Sequence, residues 1–337
     1  MRSGAKRTHN RWKPAGLAGA LVLAALLAGA ACGVRSSVNG SFDRTFRVTG
    51  PVRLEITNGK GDSRIAAGGA GEVRIHGELR VKSWSSGGGQ RRLQQVEENP
   101  PLSQDGNLIR IGGLGSGSSG SESLSIDYTI VVPPDTEVRA VTGSGDLNVG
   151  GVRGPLNLMS GSGEATASEI AGDVHVQSGS GEIHVSNIQG QAQAMTGSGN
   201  VTLNAVKGAT RIQTGSGEIQ IENPGDAVVA NTGSGSIHVT GAQADLRLRG
   251  SSGNVTVDGN PGTSNYWDFR TSSGNVALHV PATGNFRFYA KTGSGRIDAG
   301  IPIIMEGTTG KHELRARIGD GKGRVEIETS SGNITLR

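Results

Sequence analysis

The fold is decided by residues 179–199, which read GSGEIHVSNIQGQAQAMTGSG. A Gly-Ser-Gly tripeptide opens and closes this stretch, and Ser-Ser-Gly replaces it in some later copies. The last glycine of the tripeptide recurs every eighteen residues, at Gly145, Gly163, Gly181, Gly199, Gly217, Gly235 and Gly253. A fixed interval of this kind is typical of a solenoid, in which each repeat forms one coil.

The residues between the glycines predict two strands per coil. After each glycine the chain alternates between polar and apolar residues, as in Glu182-Ile183-His184-Val185, and such alternation favours a strand. With the glycine as position zero, apolar residues fall at positions 2 and 4 and again at positions 11 and 13. We therefore predict an all-β fold, a single-stranded parallel β-solenoid (β-helix) with 18-residue coils, two strands per coil and an N-terminal capping segment.

The tripeptide itself predicts the geometry of the corner. Position zero is glycine in ten copies, the last three being Gly274, Gly295 and Gly332. Because glycine adopts positive φ without steric cost, we expect positive φ at this position. The serine before it forms an unbroken column from Ser144 to Ser331, in which stacked hydroxyls would lie ~4.8 Å apart. We interpret this column as a hydrogen-bonded ladder and not as a set of nucleophiles.

The first 31 residues predict export. They contain five basic residues, no acidic residue and a run of apolar and small residues from Ala15 to Ala31. Removing the five from the 33 basic residues of the chain leaves 28 against 29 acidic residues, a formal net charge of −1. A nucleic-acid partner is not expected, because such a partner requires a basic surface on the mature chain.

Cys32 is the only cysteine, so an internal disulfide is excluded. It follows Ala28-Gly29-Ala30-Ala31, which resembles the lipobox of bacterial lipoproteins, although that pattern prefers leucine at the position of Gly29. The resemblance implies lipid attachment at Cys32. Cleavage after Ala30 and an uncleaved anchor are the alternatives.

The chain divides into four segments. We predict a signal peptide over residues 1–31, a tether over 32–44, N-terminal strands and a capping segment over 45–140, and the solenoid over 141–337. The capping segment includes a helix from Gln90 to Glu98, and residues 58–62 look like an eroded corner. Toward the end the interval lengthens to 21, 21 and 37 residues, with aromatic insertions that favour either core packing or an exposed binding patch: Tyr266, Trp267, Phe269, Phe286, Phe288 and Tyr289.

An acidic column follows position zero in three successive coils, at Asp146, Glu164 and Glu182. Stacking would place these carboxylates ~4.8 Å apart, which is close to the spacing of the carboxyl pair in retaining glycosidases. A solvated charged face and a cation site are the alternatives, since carboxylates are natural calcium ligands. We favour the solvated face and expect no metal and no cofactor.

The stretch Tyr128-Thr129-Ile130-Val131-Val132-Pro133-Pro134-Asp135-Thr136, followed by Thr142-Gly143-Ser144-Gly145, resembles a bacterial family of adhesin-like β-strand-repeat domains of unknown function. The resemblance covers roughly residues 45–337. It implies the solenoid fold and an exported or membrane-tethered protein, and it implies adhesion only by analogy of fold.

We therefore expect a non-enzymatic, membrane-tethered module of the cell envelope that binds a ligand or acts as a spacer, with an envelope protein or a glycan as partner. A periplasmic or secreted soluble form is the alternative location. A regulatory accessory protein for envelope stress that binds a membrane partner is the second hypothesis. A carbohydrate-active β-helix enzyme is the third, and it is disfavoured because 18-residue coils leave no long loops to enclose a site.

Overall fold

Two long β-sheets stack against each other through the part of the protein that the structure describes. The computed structural model describes residues 36–83, 88–112, 122–281, 283–306 and 310–337. Sheet A has 14 strands and sheet B has 15 within these ranges.

The elements follow one another in this order: β1 Ser36–Arg47, β2 Val52–Lys60, β3 Ser63–Ala67, β4 Glu72–Ser83, α1 Gly88–Glu98, β5 Leu102–Asp105, β6 Leu108–Gly112, β7 Glu122–Val132, β8 Thr136–Ser144, β9 Leu147–Gly150, β10 Leu156–Ser160, β11 Ala165–Ile170, β12 Val174–Ser178, β13 Ile183–Ile188, β14 Ala192–Thr196, β15 Val201–Val206, β16 Thr210–Thr214, β17 Ile219–Glu222, β18 Val228–Thr232, β19 Ile237–Ala242, β20 Leu246–Gly250, β21 Val255–Gly259, β22 Tyr266–Thr271, β23 Val276–His279, β24 Phe286–Thr292, β25 Ile297–Ala299, β26 Ile304–Met305, β27 Glu313–Ile318, β28 Gly323–Thr329 and β29 Ile334–Leu336.

The predicted β-solenoid is confirmed. From β8 to β21 the strands alternate between the sheets, and each pairs in parallel with the strand one coil later, so that Ile183 lies beside Val201 and Val201 beside Ile219. The apolar residues of each strand are buried between the sheets, as predicted, whereas Glu182 and Glu218 are exposed. A strand that alternates in this way buries one face and leaves the other for solvent.

The position-zero glycines do not have positive φ, contrary to the prediction. Their requirement for glycine comes from close approach between coils. A Cβ atom on Gly199 would overlap the backbone carbonyl oxygen of Gly181, and the equivalent overlap occurs at each of the ten copies. Only a residue without a side chain fits there, because the clashing atom belongs to a backbone held in place by strand pairing.

Positive φ occurs at position 6 instead, where the chain leaves a strand of sheet A. Glu169, Asn187, Ala205 and Asn223 have φ between 51° and 58°, and Gly151 and Gly241 occupy the same position in other coils. Asparagine tolerates this left-handed region, whereas the region is costly for Glu169 and Ala205.

The corner ladder is built by a hydroxyl other than the predicted one. The serines of the column from Ser144 to Ser331 are exposed. The threonine or serine two residues earlier is buried; for example, Thr214 donates to the carbonyl of Gly199 at 3.1 Å and accepts from the amide of Gly217 at 3.1 Å. Equivalent bonds recur at Thr196, Thr232, Thr271, Thr292 and Thr329.

The N-terminal boundaries differ from the predicted ones. Strands β2 and β3 form the first coil, since they pair in parallel with β8 and β9. The eroded corner predicted at residues 58–62 is a real corner, because the carbonyl of Gly61 abuts Gly145. The solenoid therefore begins at Val52 and not at residue 141, and residues 36–44 of the predicted tether belong to β1, which pairs along its whole length with β4. Cys32 and the signal peptide lie outside the described residues.

Antiparallel strands cover both ends of the solenoid. At the N-terminal end, β1, β4 and β7 extend sheet A, and α1 packs on β1 and β4 with Leu93 and Val96 buried. The helix confirms the prediction and starts two residues earlier. At the other end, β26, β27 and β24 extend sheet B. Such caps satisfy edge strands that would otherwise pair with another chain.

The last coils are not stacked in chain order. Strands β28 and β29 insert between the coil of β22 and β23 and the coil of β24 and β25. In consequence, Gly332 lies between Gly274 and Gly295 in the glycine column. The 37-residue interval is long because the chain first forms the cap strands β26 and β27 and then returns to form an inner coil with β28 and β29.

Candidate functional site

The three predicted acidic residues are neighbours, as their spacing implies. Asp146, Glu164 and Glu182 each precede a strand of sheet A, in the successive coils that carry β9, β11 and β13. All three are exposed.

The carboxylates of this acidic column already have partners within the protein. Asp146 Oδ1 accepts the backbone amide of Glu164 at 2.9 Å, and Glu164 Oε1 accepts the hydroxyl of Thr166 at 3.0 Å. His184 Nε2 lies 3.4 Å from a carboxylate oxygen of Glu182 and 3.8 Å from one of Glu164. The column is thus a mixed polar ladder in which one carboxylate holds the backbone of the next coil.

Short acceptor side chains repeat this bond along the corner. Asp62, Asn200, Asn254 and Asn275 each accept the backbone amide of the equivalent residue in the adjacent coil, at 2.9–3.0 Å. Aspartate and asparagine make the bond because their side-chain oxygen lies close to the backbone. A structural role therefore accounts for Asp146.

Within the described parts of the chain, no three His, Cys, Asp or Glu side chains are grouped so that they could hold a metal ion. A depression of about 110 Å³ lies at the start of the acidic column, lined by Asp62, Arg64, Asp146 and Glu164 among others. Arg64 places a positive charge beside these carboxylates. Cation binding by Asp146, Glu164 and Glu182 stays an untested alternative to the favoured solvated face, and the absence of catalysis stays a prediction.

A larger groove of about 570 Å³ runs across sheet B and spans the coils from β8 to β18. Outward side chains of successive strands form its floor: Arg139, Asn157, His175, Gln193, Arg211 and Val229. Sequence analysis missed this groove, although its basic residues Arg139, His175 and Arg211 recur at a spacing of two repeats.

The aromatic insertions are divided between core and surface. Trp267, Phe269, Phe286 and Phe288 are fully buried, which confirms core packing for these four. Tyr266 and Tyr289 are partly exposed on the outer face of sheet B.

Tyr266 belongs to a charged cluster on that face. Its hydroxyl donates to Glu326 Oε2 at 2.5 Å, and the guanidinium of Arg324 lies 5.5 Å from the ring centroid. Burial raises the pKa of Tyr266 to about 12, and the hydrogen bond to Glu326 and the charge of Asp268 act in the same direction. Asp268 is itself buried and paired with Arg249 at 2.6 Å.

The helix, strand and corner geometry define a capped parallel β-solenoid whose outer faces carry polar side chains in straight rows. The chain belongs to the Toastrack DUF4097 family, whose sequence profile matches residues 53–337. The match begins at β2, so it includes the first coil and both caps except β1.

Among curated proteins, no sequence matches the chain. Two solved structures are similar over 88% of it. One is a "putative cell adhesion protein" from Clostridium sporogenes ATCC 15579, with 14% identity, a TM-score of 0.23 and 99% of its own chain covered. The other is a "putative adhesin" from Bacteroides fragilis NCTC 9343, with 10% identity, a TM-score of 0.32 and 97% covered. Similarities this low say nothing about what this chain binds.

In the described part of the chain, no helix is long and apolar enough to cross a membrane.

Proposed function

We propose that this protein is an exported module of the cell envelope, tethered by a lipid on Cys32, that binds a ligand through the outer faces of its solenoid in the manner of an adhesin. The observation that carries the proposal is the parallel register of the coils. It repeats outward side chains at nearly constant spacing over the length of the sheets. Such a surface suits an extended ligand, because many weak contacts are made at once.

The open geometry of the groove on sheet B supports binding over catalysis. The groove on sheet B lies open on a sheet face, and its walls are the strands and corners of successive coils. Enzymes exclude water from their reacting groups, and they use loops or domains to do so.

The leader supports the location. A lipid on Cys32 would lie four residues before Ser36, where β1 begins. Four residues reach at most ~14 Å, so the start of β1 would lie within that distance of the lipid. Two or more acyl chains give a stable anchor, whereas one chain gives a marginal hold.

The proposal is tested with cells that carry the full-length protein, cells that lack it and cells that carry Cys32→Ser. We expect the full-length protein in the detergent phase and the Cys32→Ser variant in the aqueous phase with an unchanged circular dichroism spectrum. We also expect attachment of cells to a ligand-coated surface to require the tethered form. Equal attachment of all three cell types would contradict adhesion, and an altered envelope-stress response without loss of attachment would favour the regulatory hypothesis.

A further inference from the structure

A row of basic side chains runs along the outer face of sheet B. Arg139, His175, Arg211 and Arg247 occupy one outward position in every second coil, on β8, β12, β16 and β20. We call these four residues the basic row. Neighbouring strands lie ~4.8 Å apart, so successive members are ~9.6 Å apart and the row is ~29 Å long.

The coils in between contribute no charge to the row. Asn157, Gln193 and Val229 occupy the alternate positions. Asn157 and Gln193 offer amide groups, and Asn157 Oδ1 is buried without a hydrogen-bond partner in the described structure. The row thus alternates a basic side chain with an amide side chain over its first two thirds.

An acidic residue occupies the equivalent position on the strand beyond each end of the basic row, and each of these two residues is already paired with an arginine. Glu55 lies beside Arg139 and is held by Arg110 at 3.0 Å, while Asp268 lies beside Arg247 and is held by Arg249 at 2.6 Å. The cationic stretch is therefore limited to the coils from β8 to β20.

The acidic residues inside the groove are also occupied. Glu137 pairs with Arg53 at 3.0 Å, and Asp173 accepts the backbone amide of Gln191 at 2.8 Å. By contrast, the three arginines of the basic row are exposed and form no ion pair within the described residues. Their charges are available to an anion from outside.

We propose that the basic row binds a linear anionic polysaccharide that carries one carboxylate per disaccharide. In an extended polysaccharide, alternate sugar rings face the same way, so such a chain repeats its charge once every two rings. This repeat matches basic side chains on every second coil, with the amide side chains in the coils between them lying next to the uncharged sugars. The proposal rests on the proposed binding function, for which it names the ligand class.

Other polyanions fit the row less well. An extended acidic peptide presents carboxylates on one side every ~6.7 Å, which does not match ~9.6 Å. Single-stranded nucleic acids are held by stacking on aromatic side chains as well as by charge, and the basic row contains none. These two classes are therefore included in the test as competitors.

The test uses the purified full-length protein in detergent and measures binding by isothermal titration calorimetry. The probe is a hyaluronan hexasaccharide, which carries three carboxylates at disaccharide spacing. The comparison ligands are neutral hexa-N-acetylchitohexaose, a poly-glutamate peptide and a single-stranded oligonucleotide. The test variant is Arg139→Gln with Arg211→Gln. The control variant is Arg47→Gln with Arg80→Gln, which removes the same charge from exposed positions on sheet A.

We expect the wild type to bind the hexasaccharide more tightly than any comparison ligand. The affinity for the hexasaccharide should fall as the salt concentration is raised. Loss of two charge-assisted contacts should lower the affinity of the test variant at least ~10-fold, while the control variant stays within about twofold. Both variants should unfold at the same temperature as the wild type, which would establish that the fold is intact.

No binding of the hexasaccharide, equal loss in both variants, or tighter binding of the peptide or oligonucleotide would overturn the proposal. If the hexasaccharide fails while cells still attach through the tethered protein, the ligand class is wrong and the binding function stands. If the hexasaccharide binds but attachment does not depend on the protein, the adhesive function is wrong instead.

Discussion

Thr214 donates its hydroxyl hydrogen to the carbonyl oxygen of Gly199, 3.1 Å away, across the boundary between two coils. The same hydroxyl accepts the amide of Gly217 within its own coil. One buried side chain thus fixes the corner of its coil and joins that coil to the previous one.

Replacing Thr214 with valine should destabilise the protein by about 1–3 kcal/mol, because a buried amide and carbonyl lose their partner while the shape is kept. Thr202→Val is the matched control, since Thr202 points outward on sheet A. Urea unfolding measures both variants. Equal effects would show that the buried hydroxyl carries no special role.

Replacing Gly199 with alanine should be among the most damaging small changes, costing ~3 kcal/mol or more, because its Cβ would overlap the carbonyl of Gly181. Gly197→Ser should cost less, because its Cβ would lie 2.5 Å from the carbonyl of Gly179 against 1.9 Å at Gly199, and serine already occupies the equivalent position at Ser251, Ser272 and Ser330. Thermal unfolding of the two variants gives the comparison. If Gly197→Ser proves the worse change, close approach is not what requires glycine at position zero.

Replacing Ala205 with glycine should stabilise the protein by up to ~1 kcal/mol, because the left-handed region costs alanine ~1–2 kcal/mol and glycine little. The φ of Ala205 is 54°. Ala171→Gly is the control, since Ala171 is exposed and lies outside that region, and it should lose ~0.5–1 kcal/mol. A loss of stability at both positions would contradict the assigned backbone geometry.

Tyr266 should ionise near pH 12 and not near its ordinary value of 10.0. A raised pKa in the folded state means that its stabilising effect is complete below pH 10 and is lost as the pH rises toward 12. Ultraviolet titration of tyrosinate should show this transition in the wild type and its absence in Tyr266→Phe. Ionisation of Tyr266 near pH 10 would mean that the burial of its hydroxyl and its contact with Glu326 are not maintained in solution.

The sequence predicts the coils because their period is strict. Ile183 and Val185 lie inside as expected, since an 18-residue repeat with alternating polarity allows only one face to be buried. The buried hydroxyl column was also visible, because the residue at the position of Thr214 is threonine or serine in nine of the ten coils that carry a position-zero glycine, Gly250 being the exception. The unbroken serine column is the more regular of the two, so the sequence pattern alone favours the wrong hydroxyl for the ladder.

Other features depend on contacts between coils that no local pattern records. The glycine at position zero is the same residue whether positive φ or a neighbouring carbonyl requires it. The insertion of β28 and β29 between earlier coils also has no local signature, because residues 275, 296 and 333 each follow a corner of the same general type, Ser-Ser-Gly or Gly-Ser-Gly. The spacing of Arg139 and Arg211 does not show by itself that they share a face of sheet B, because that depends on the register between coils.

The central claim is that the chain presents rows of side chains at one fixed spacing per coil, and electron paramagnetic resonance distances test it most directly. With Cys32 changed to serine, spin labels are placed at Thr166 and Thr256, five strands apart on sheet A, or at Thr166 and Thr335, seven strands apart. At ~4.8 Å per strand the account predicts separations of ~24 Å and ~34 Å. A second separation equal to or shorter than the first would contradict the stacked coils and the ligand-binding rows that depend on them.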